Sequence, residues 1–229
     1  MLKTKEDIAK VELEVDWSSL KCSIVRKLTE TFQRHPDWFF TEHDIHSVLY
    51  NIVKEELQLD GISTVKTHDK HQVTLVHHEY PTPFRCSMKG YDFEIKHDKP
   101  YKRGHYDLVI LNPVFVNNHE FDVVCAKDYQ KFRIAMEKVN TSPLIWVCEV
   151  IFFPRVKTIP NSAIHLIEQD ALKAQESLRH RIGSRSVRYC KMGSVLVFTG
   201  YTAEGASDLR GQVRELEERL KIEVILSTA

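Results

Sequence analysis

The sequence predicts an α/β (α+β) protein, a mixed central β-sheet flanked by helices, on three observations. Two apolar runs, Leu108 to Leu111 and LIWVCEVIFF at 144 to 153, read as strands buried on both faces. Other stretches, such as 45–57 and 163–182, place apolar residues every three or four positions, the period of a helix packed on one side. The two kinds of stretch alternate along 229 residues with no repeat, low-complexity tract or Pro/Gly/Ser linker, so a single domain 1–229 is expected.

Taken in order, Ile8, Val11, Leu13 and Val15 predict a short strand. Ser18 or Ser19 then caps a helix with the stripe Leu20, Ile24, Leu28 and Phe32, which stops at Arg34-His35-Pro36. These two elements make up an N-terminal section, 1–40. Thr41 and Asp44 resemble a capping box, with Asp for the preferred Glu or Gln, before the stripe Ile45, Val48, Leu49, Ile52, Val53 and Leu57. Asp60-Gly61 closes that helix, and QVTLVHHEY predicts a strand ending near Glu79.

FRCSMKGYDFEIK reads as a hairpin turning at Lys89-Gly90, and Pro113 ends the apolar strand that Asp107 opens. A helix is expected between Lys127 and Val139, with Tyr129, Phe132, Met136 and Val139 on one side. After strand 144–153 come a helix over 163–182, a strand in VRYCKMGSVLVFTG, a helix from about Ser207 to Leu220, and the strand IEVIL. Residues 41–199 form the core of this scheme and 200–229 a C-terminal helix and strand.

Composition excludes several function classes. Lys plus Arg and Asp plus Glu number 32 each, so any polyanion partner must find a local patch. None of the eight glycines stands in a GxGxxG or P-loop arrangement, and neither GxSxG nor HExxH occurs. Five cysteines without a CxxC pair read as reduced core thiols of a cytoplasmic protein. The charged N-terminus and the lack of any apolar stretch of about 18 residues predict a soluble chain with no membrane partner. Of the twelve histidines, His43 and His46 are three apart with no third ligand placed, and all are expected at the surface.

Two residues break the apolar runs. A carboxylate inside a buried strand costs several kcal/mol or more unless it meets a cation, a metal or a solvent cleft. Asp107 and Glu149 both stand in that position. If their strands pair, the two acids converge on one edge and offer hard oxygen ligands suited to Mg²⁺; the alternative is a salt bridge to Lys or Arg. Residues 177–193 carry Arg179, Arg181, Arg185, Arg188 and Lys191 with no acid, which reads either as a solvated helix end or as a phosphate-backbone contact. Arg103 shares strand parity with Asp107 and is placed to steady a phosphate if the strand begins that early.

The element order helix, strand, strand with Asp, strand with Glu, helix, strand resembles the PD-(D/E)XK nuclease superfamily, with its restriction-endonuclease-like fold. Arg103-Gly104-His105-Tyr106-Asp107-Leu108-Val109-Ile110 resembles the family's metal-binding Asp motif. Trp146-Val147-Cys148-Glu149-Val150-Ile151 resembles its (D/E)XK motif, with Ile151 where the lysine belongs. The resemblance covers roughly residues 41–199. It implies hydrolysis of nucleic-acid phosphodiesters, DNA ahead of RNA, with Asp107 and Glu149 holding Mg²⁺ or Mn²⁺ and a lysine orienting and deprotonating the attacking water. It also implies a further acid from the first core helix, where Glu42 matches by position while Asp44 serves the cap. Glu79 is a second metal-binding candidate.

Gln175, four after Ala171 and three before Leu178, falls on the buried stripe with Glu168, and resembles the glutamine that some relatives place beside the metal. Lys173 lies about 200° from Gln175 by the 100° helical step, so the periodicity turns it outward. Lys96, Lys102 and Lys157 are then the remaining sources of a lysine. The alternative implied by Ile151 is a degenerate nuclease-fold protein that binds nucleic acid or a protein partner without cutting.

Overall fold

Leu144–Phe153 is buried along its entire length and lies at the centre of a six-stranded sheet, which is why that stretch of sequence is apolar without alternation. The computed structural model describes residues 8, 14–89, 92–96, 103–138, 142–153, 162–182, 185–200 and 206–228. Its strands are β1 (Thr64–Lys66), β2 (Gln72–Thr74), β3 (Val76–Lys89), β4 (Asp92–Lys96), β5 (Arg103–Leu111), β6 (Leu144–Phe153), β7 (His180–Ile182), β8 (Arg185–Val187), β9 (Cys190–Thr199) and β10 (Glu223–Thr228). The main helices are α1 (Trp17–Arg34), α2 (Glu42–Leu59), α5 (Tyr129–Lys138), α6 (Ala163–Arg179) and α7 (Ala206–Leu220), with the short α3 (Pro113–Asn118) and α4 (Phe121–Val124).

The large sheet has the order β10-β9-β6-β5-β3-β4. β6, β9 and β10 run parallel, while β5 is antiparallel to both β6 and β3, so the sheet is mixed as expected. On one face α6 lies so close that a Cβ on Gly193 would sit 3.3 Å from that of Ala174 and 3.5 Å from Val147 Cγ2. On the other, Phe32 of α1 packs on Phe198 and Phe152 with ring centroids 4.9 and 6.1 Å apart. Among the described residues no helix is long and apolar enough to cross a membrane.

Several boundaries differ from the sequence expectations, each for a local reason. Ile8 and Glu14 are helical where a strand was expected, and 9–13 lie outside the described residues. Asp16, rather than Ser18 or Ser19, caps α1, its carboxylate accepting from the amides of both serines at 3.1 Å. The α2 cap is as read, with Asp44 Oδ2 accepting the Thr41 amide at 2.8 Å. Gly61, at φ 70°, takes the left-handed conformation that ends the unit.

β3 does not stop at Glu79. It continues through Pro81 and Pro83 because β4 joins it only from Arg85 onward, so the prolines fall where that side has no ladder to feed. The β3–β4 hairpin closes at Lys89 and Asp92, as the Lys89-Gly90 turn predicted; Gly90 itself lies outside the described residues. The connection after Pro113 holds three helices rather than one. α6 ends at Arg179, and β7 pairs antiparallel with β8 in a small two-stranded sheet of their own before β9.

Candidate active site

β5 and β6 are paired only part of the way. Their ladder joins Leu111 to Leu144 and proceeds to Leu108 and Cys148, where it ends. Beyond that point β5 continues with β3 alone and β6 with β9 alone, so the sheet opens between them. Asp107 and Glu149 are the next residues on the two strands. The Asp107 carboxylate takes over one bond of the lost ladder, its Oδ2 accepting the Val150 amide at 2.7 Å. The predicted convergence of the two acids is therefore a property of the place where the sheet parts.

Glu149 is fully buried and shares parity with Val147, on the face covered by α6. There it meets Lys173, whose Nζ lies 2.7 Å from Glu149 Oε2, 3.4 Å from Asp170 Oδ1, and donates to the His105 carbonyl at 2.9 Å. The outward orientation expected for Lys173 is thus incorrect: it is 5% exposed and faces the carboxylates. Gln175 is corrected in the opposite sense. Its Nε2 donates to the Leu220 carbonyl at 2.7 Å, capping the end of α7 away from the acids.

From the other face α2 contributes Glu42 and His46, one helical turn apart. His46 Nε2 is 3.7 Å from Asp107 Oδ2 and 3.9 Å from Glu42 Oε1, and has no hydrogen-bond partner among the described residues. The Glu42 carboxylate accepts the Phe152 amide. His43 and His78 flank His46, with ring centroids 5.7 and 6.1 Å away, and Tyr50 stacks on His78 at 4.6 Å. The expectation that the histidines are surface residues holds for His43 and His78, which are exposed, and fails for His46, which is buried. Nothing in the spacing of His43 and His46 alone brings in His78, which comes from β3.

The electrostatics follow from crowding acids into a largely buried cleft. Burial pushes the carboxyl groups of Asp107, Asp170 and Glu42 above the ordinary carboxylate range, and Glu149 well above it. Lys173 counteracts this for Asp107, Glu149 and Asp170, while Asp107 adds to it for each of the other three. The acids in turn hold the Lys173 ammonium charged despite its burial. Burial, with help from His78 and His43, lowers His46 to about 4, so its imidazole is neutral at pH 7.

The donor set suits a divalent cation in its chemistry: carboxylates from three elements, a buried Glu149 carboxylate whose Oε1 has no hydrogen-bond partner among the described residues, and an orphaned imidazole nitrogen. In the side-chain positions shown, no three His, Cys, Asp or Glu among the described residues are gathered closely enough to ligate one ion. Ligation by Asp107, Glu149, Glu42 or His46 would thus require these side chains to rotate.

The remaining candidates fall around this group. Glu79 is exposed, sits at φ 48° between the residues paired with Leu108 and Tyr106, and so faces Asp107 across β3 and β5. β5 does begin at Arg103, on the parity of Asp107, though the Arg103 side chain lies outside the described residues, as do those of Lys96, Arg181 and Arg185. Lys102 and Lys157 lie outside them entirely. The basic segment is not at the edge of the site. Arg179 is six residues beyond Lys173, about 9 Å along α6, and Cys190 is five residues from the Val195–Glu149 row, about 16 Å along β9. Arg188 folds back on its own chain, donating to the carbonyls of Cys190 and Lys191 at 3.1 and 2.7 Å.

Asp170 and Lys173 were not read as site residues from sequence, yet the pair at i and i+3 beside Ala174 carries the signal. A helix that approaches a sheet closely does so on small residues, and Ala163, Ala171, Ala174 and Ser177 mark that line better than Ile164 or Leu178. Comparison with protein-family models, with curated proteins and with solved structures finds no match to this chain.

Proposed function

We propose that this chain is a metal-dependent nuclease of the PD-(D/E)XK type in which α6, rather than the Glu149 strand, carries the lysine. The observation that supports the reading is Lys173 Nζ at 2.7 Å from Glu149, beside Asp107, which answers the substitution of Ile151 at the usual lysine position. The element order α2, β3, β5 with Asp107, β6 with Glu149, α6, β9 is the one the resemblance implies. Asp107 and Glu149, with Glu42, His46 or Glu79, would hold Mg²⁺ or Mn²⁺, which when bound polarises a phosphoryl oxygen and acidifies a water.

The chain's own residues divide the remaining work. Asp107 is fixed by the Val150 amide and sets the position of a phosphate or water at the opening of the sheet. Lys173 is held charged, so its role is electrostatic and orienting, not that of a base taking the proton from water. Arg103, on the same strand parity as Asp107, is the candidate to meet a phosphate of the bound strand.

One observation favours a second reading. The Lys173 ammonium already meets Glu149, Asp170 and the His105 carbonyl, which matches its three N–H groups and suits a structural ion-paired cluster in a protein that binds nucleic acid or a protein partner without cutting. Incubation with plasmid, single-stranded DNA and RNA in Mg²⁺ or Mn²⁺ decides between them. Cleavage that disappears in Asp107→Ala/Glu149→Ala supports the nuclease. A salt-dependent gel shift without cleavage supports the second reading, and cleavage that survives the double substitution refutes the site.

A further inference from the structure

The segment leading into α2 carries two large exposed rings. Trp38 and Phe40 are 60% and 63% exposed, while Phe39 between them is 2% exposed and packs on Phe32 with centroids 5.2 Å apart. The buried ring anchors the segment and turns its two neighbours outward. Trp38 is already half of a stack: His35 lies parallel to it, 4.1 Å between centroids and 6° between planes. Glu42 follows Phe40 by two residues and Trp38 by four, so its Cα lies within about 7 and 14 Å of theirs.

We propose that Trp38 and Phe40 form a platform on which unpaired bases of a single-stranded nucleic acid stack as the strand enters the carboxylate cleft. This rests on the nuclease reading for the identity of the strand and deepens it by naming the substrate class. A flat ring presented beside another flat ring suits a nucleobase, and stacking of this kind accepts any base. The surroundings disfavour a protein partner, because Arg34, His35, Asp37, Thr41 and His43 leave no continuous apolar patch around the rings. Arg34, exposed and four residues before Trp38, offers a cation for the phosphates of the same strand. In a duplex the base faces are already stacked on one another, so the platform distinguishes single strands from paired ones.

Trp38 supplies its own reporter, since Trp17 and Trp146 are 7% and 0% exposed. The full chain is titrated in EDTA, which prevents cutting, with an oligothymidylate, with the same length of duplex, and with oligoadenylate RNA, following tryptophan emission and the anisotropy of a labelled strand. The expected result is quenching by both single strands, little by the duplex, and loss of roughly tenfold in single-strand affinity in Trp38→Ala. Trp38→Phe loses the quenching yet retains most of the affinity, because a ring remains. Equal quenching by duplex and single strand, unchanged affinity in Trp38→Ala, or no quenching by any nucleic acid overturns the platform. Failure of the nuclease reading is seen separately, as quenching intact with no cleavage in Mg²⁺ or Mn²⁺; cleavage with unchanged Trp38→Ala binding removes the platform and leaves the nuclease.

Discussion

Lys173 Nζ lies 2.7 Å from Glu149 Oε2, joining the middle of α6 to the point where β5 and β6 part. An ion pair at this depth adds little net stability, because desolvating two charges offsets most of their attraction. Two apolar side chains of the same volume would hold helix to sheet at least as well. The pair is therefore better explained by what it does for the carboxylate cluster, and that can be tested by removing one partner at a time.

Lys173→Met leaves Glu149 and Asp170 buried without their cation. The expected cost is about 3 kcal/mol in urea unfolding, with cleavage reduced by roughly 10²–10⁴ if the ammonium orients the reacting groups. Lys173→Arg is expected to restore most of the stability but little activity, since a planar guanidinium replaces a compact charge. Cleavage by Lys173→Met at the unsubstituted rate would remove Lys173 from the mechanism.

The same lysine shows how far the sequence is legible. The strands carrying Asp107 and Glu149 could be read because charge inside an apolar run is a rare pattern with few physical explanations. Helix α2 and its cap were legible because Thr41 and Asp44 act locally. The orientation of α6 was not, because weighting Ile164 and Leu178 centred the buried face away from Ala174, and a shift of one helical step exchanges Lys173 with Gln175. His78 was out of reach for another reason: it meets His46 only through the pairing of β3 with β5, a contact that no periodicity within one element encodes. The sheet's opening at Leu108 and Cys148 likewise arises between strands.

Asp107→Asn tests the crowding of the acids. The folded-state pKa of Asp107 is raised, so its ionisation destabilises the fold, and stability is lost as pH rises from the unfolded pKa through the folded one. Asn keeps an oxygen for the Val150 amide and carries no charge. In EDTA at pH 7.5 the variant is expected to melt higher, by roughly 2–4 °C for about 1 kcal/mol in a domain of this size. Millimolar Mn²⁺ should raise the melting temperature of the unsubstituted chain and leave Asp107→Asn almost unmoved. A variant less stable than its parent in EDTA would mean that the Asp107 charge is already compensated.

His46 should act with the opposite sign. It stays neutral in the fold down to about pH 4, whereas in the unfolded chain it takes up a proton near its ordinary value of 6.5. The unfolded state binds more protons between those limits, so stability falls as pH drops from 6.5 toward 4. His46→Leu removes this dependence and is expected to gain on the unsubstituted chain at pH 5 relative to pH 7.5. As an imidazole donor, His46 also favours Mn²⁺ over Mg²⁺. Calorimetric titration with each ion should show the Mn²⁺ preference shrinking in His46→Leu; an unchanged preference would place the ion away from α2.

The close approach of α6 to β9 sets how deeply Lys173 reaches, and Gly193 is where that approach is tightest. A Cβ there would stand 3.3 Å from Ala174 Cβ and 3.5 Å from Val147 Cγ2. Gly193→Ala pushes the helix outward by a few tenths of an ångström and is expected to cost about 1–3 kcal/mol as an overpacked contact. The displacement carries Lys173 away from Glu149, so cleavage should fall although neither residue is altered. Ala174→Gly alone costs about 1 kcal/mol in helix propensity, but in the double variant it makes room for the new methyl. A double-mutant cycle is therefore expected to show favourable coupling of at least about 0.5 kcal/mol, together with recovered cleavage. Additive losses would show that the position of α6, and with it the reach of Lys173, is set elsewhere than at this contact.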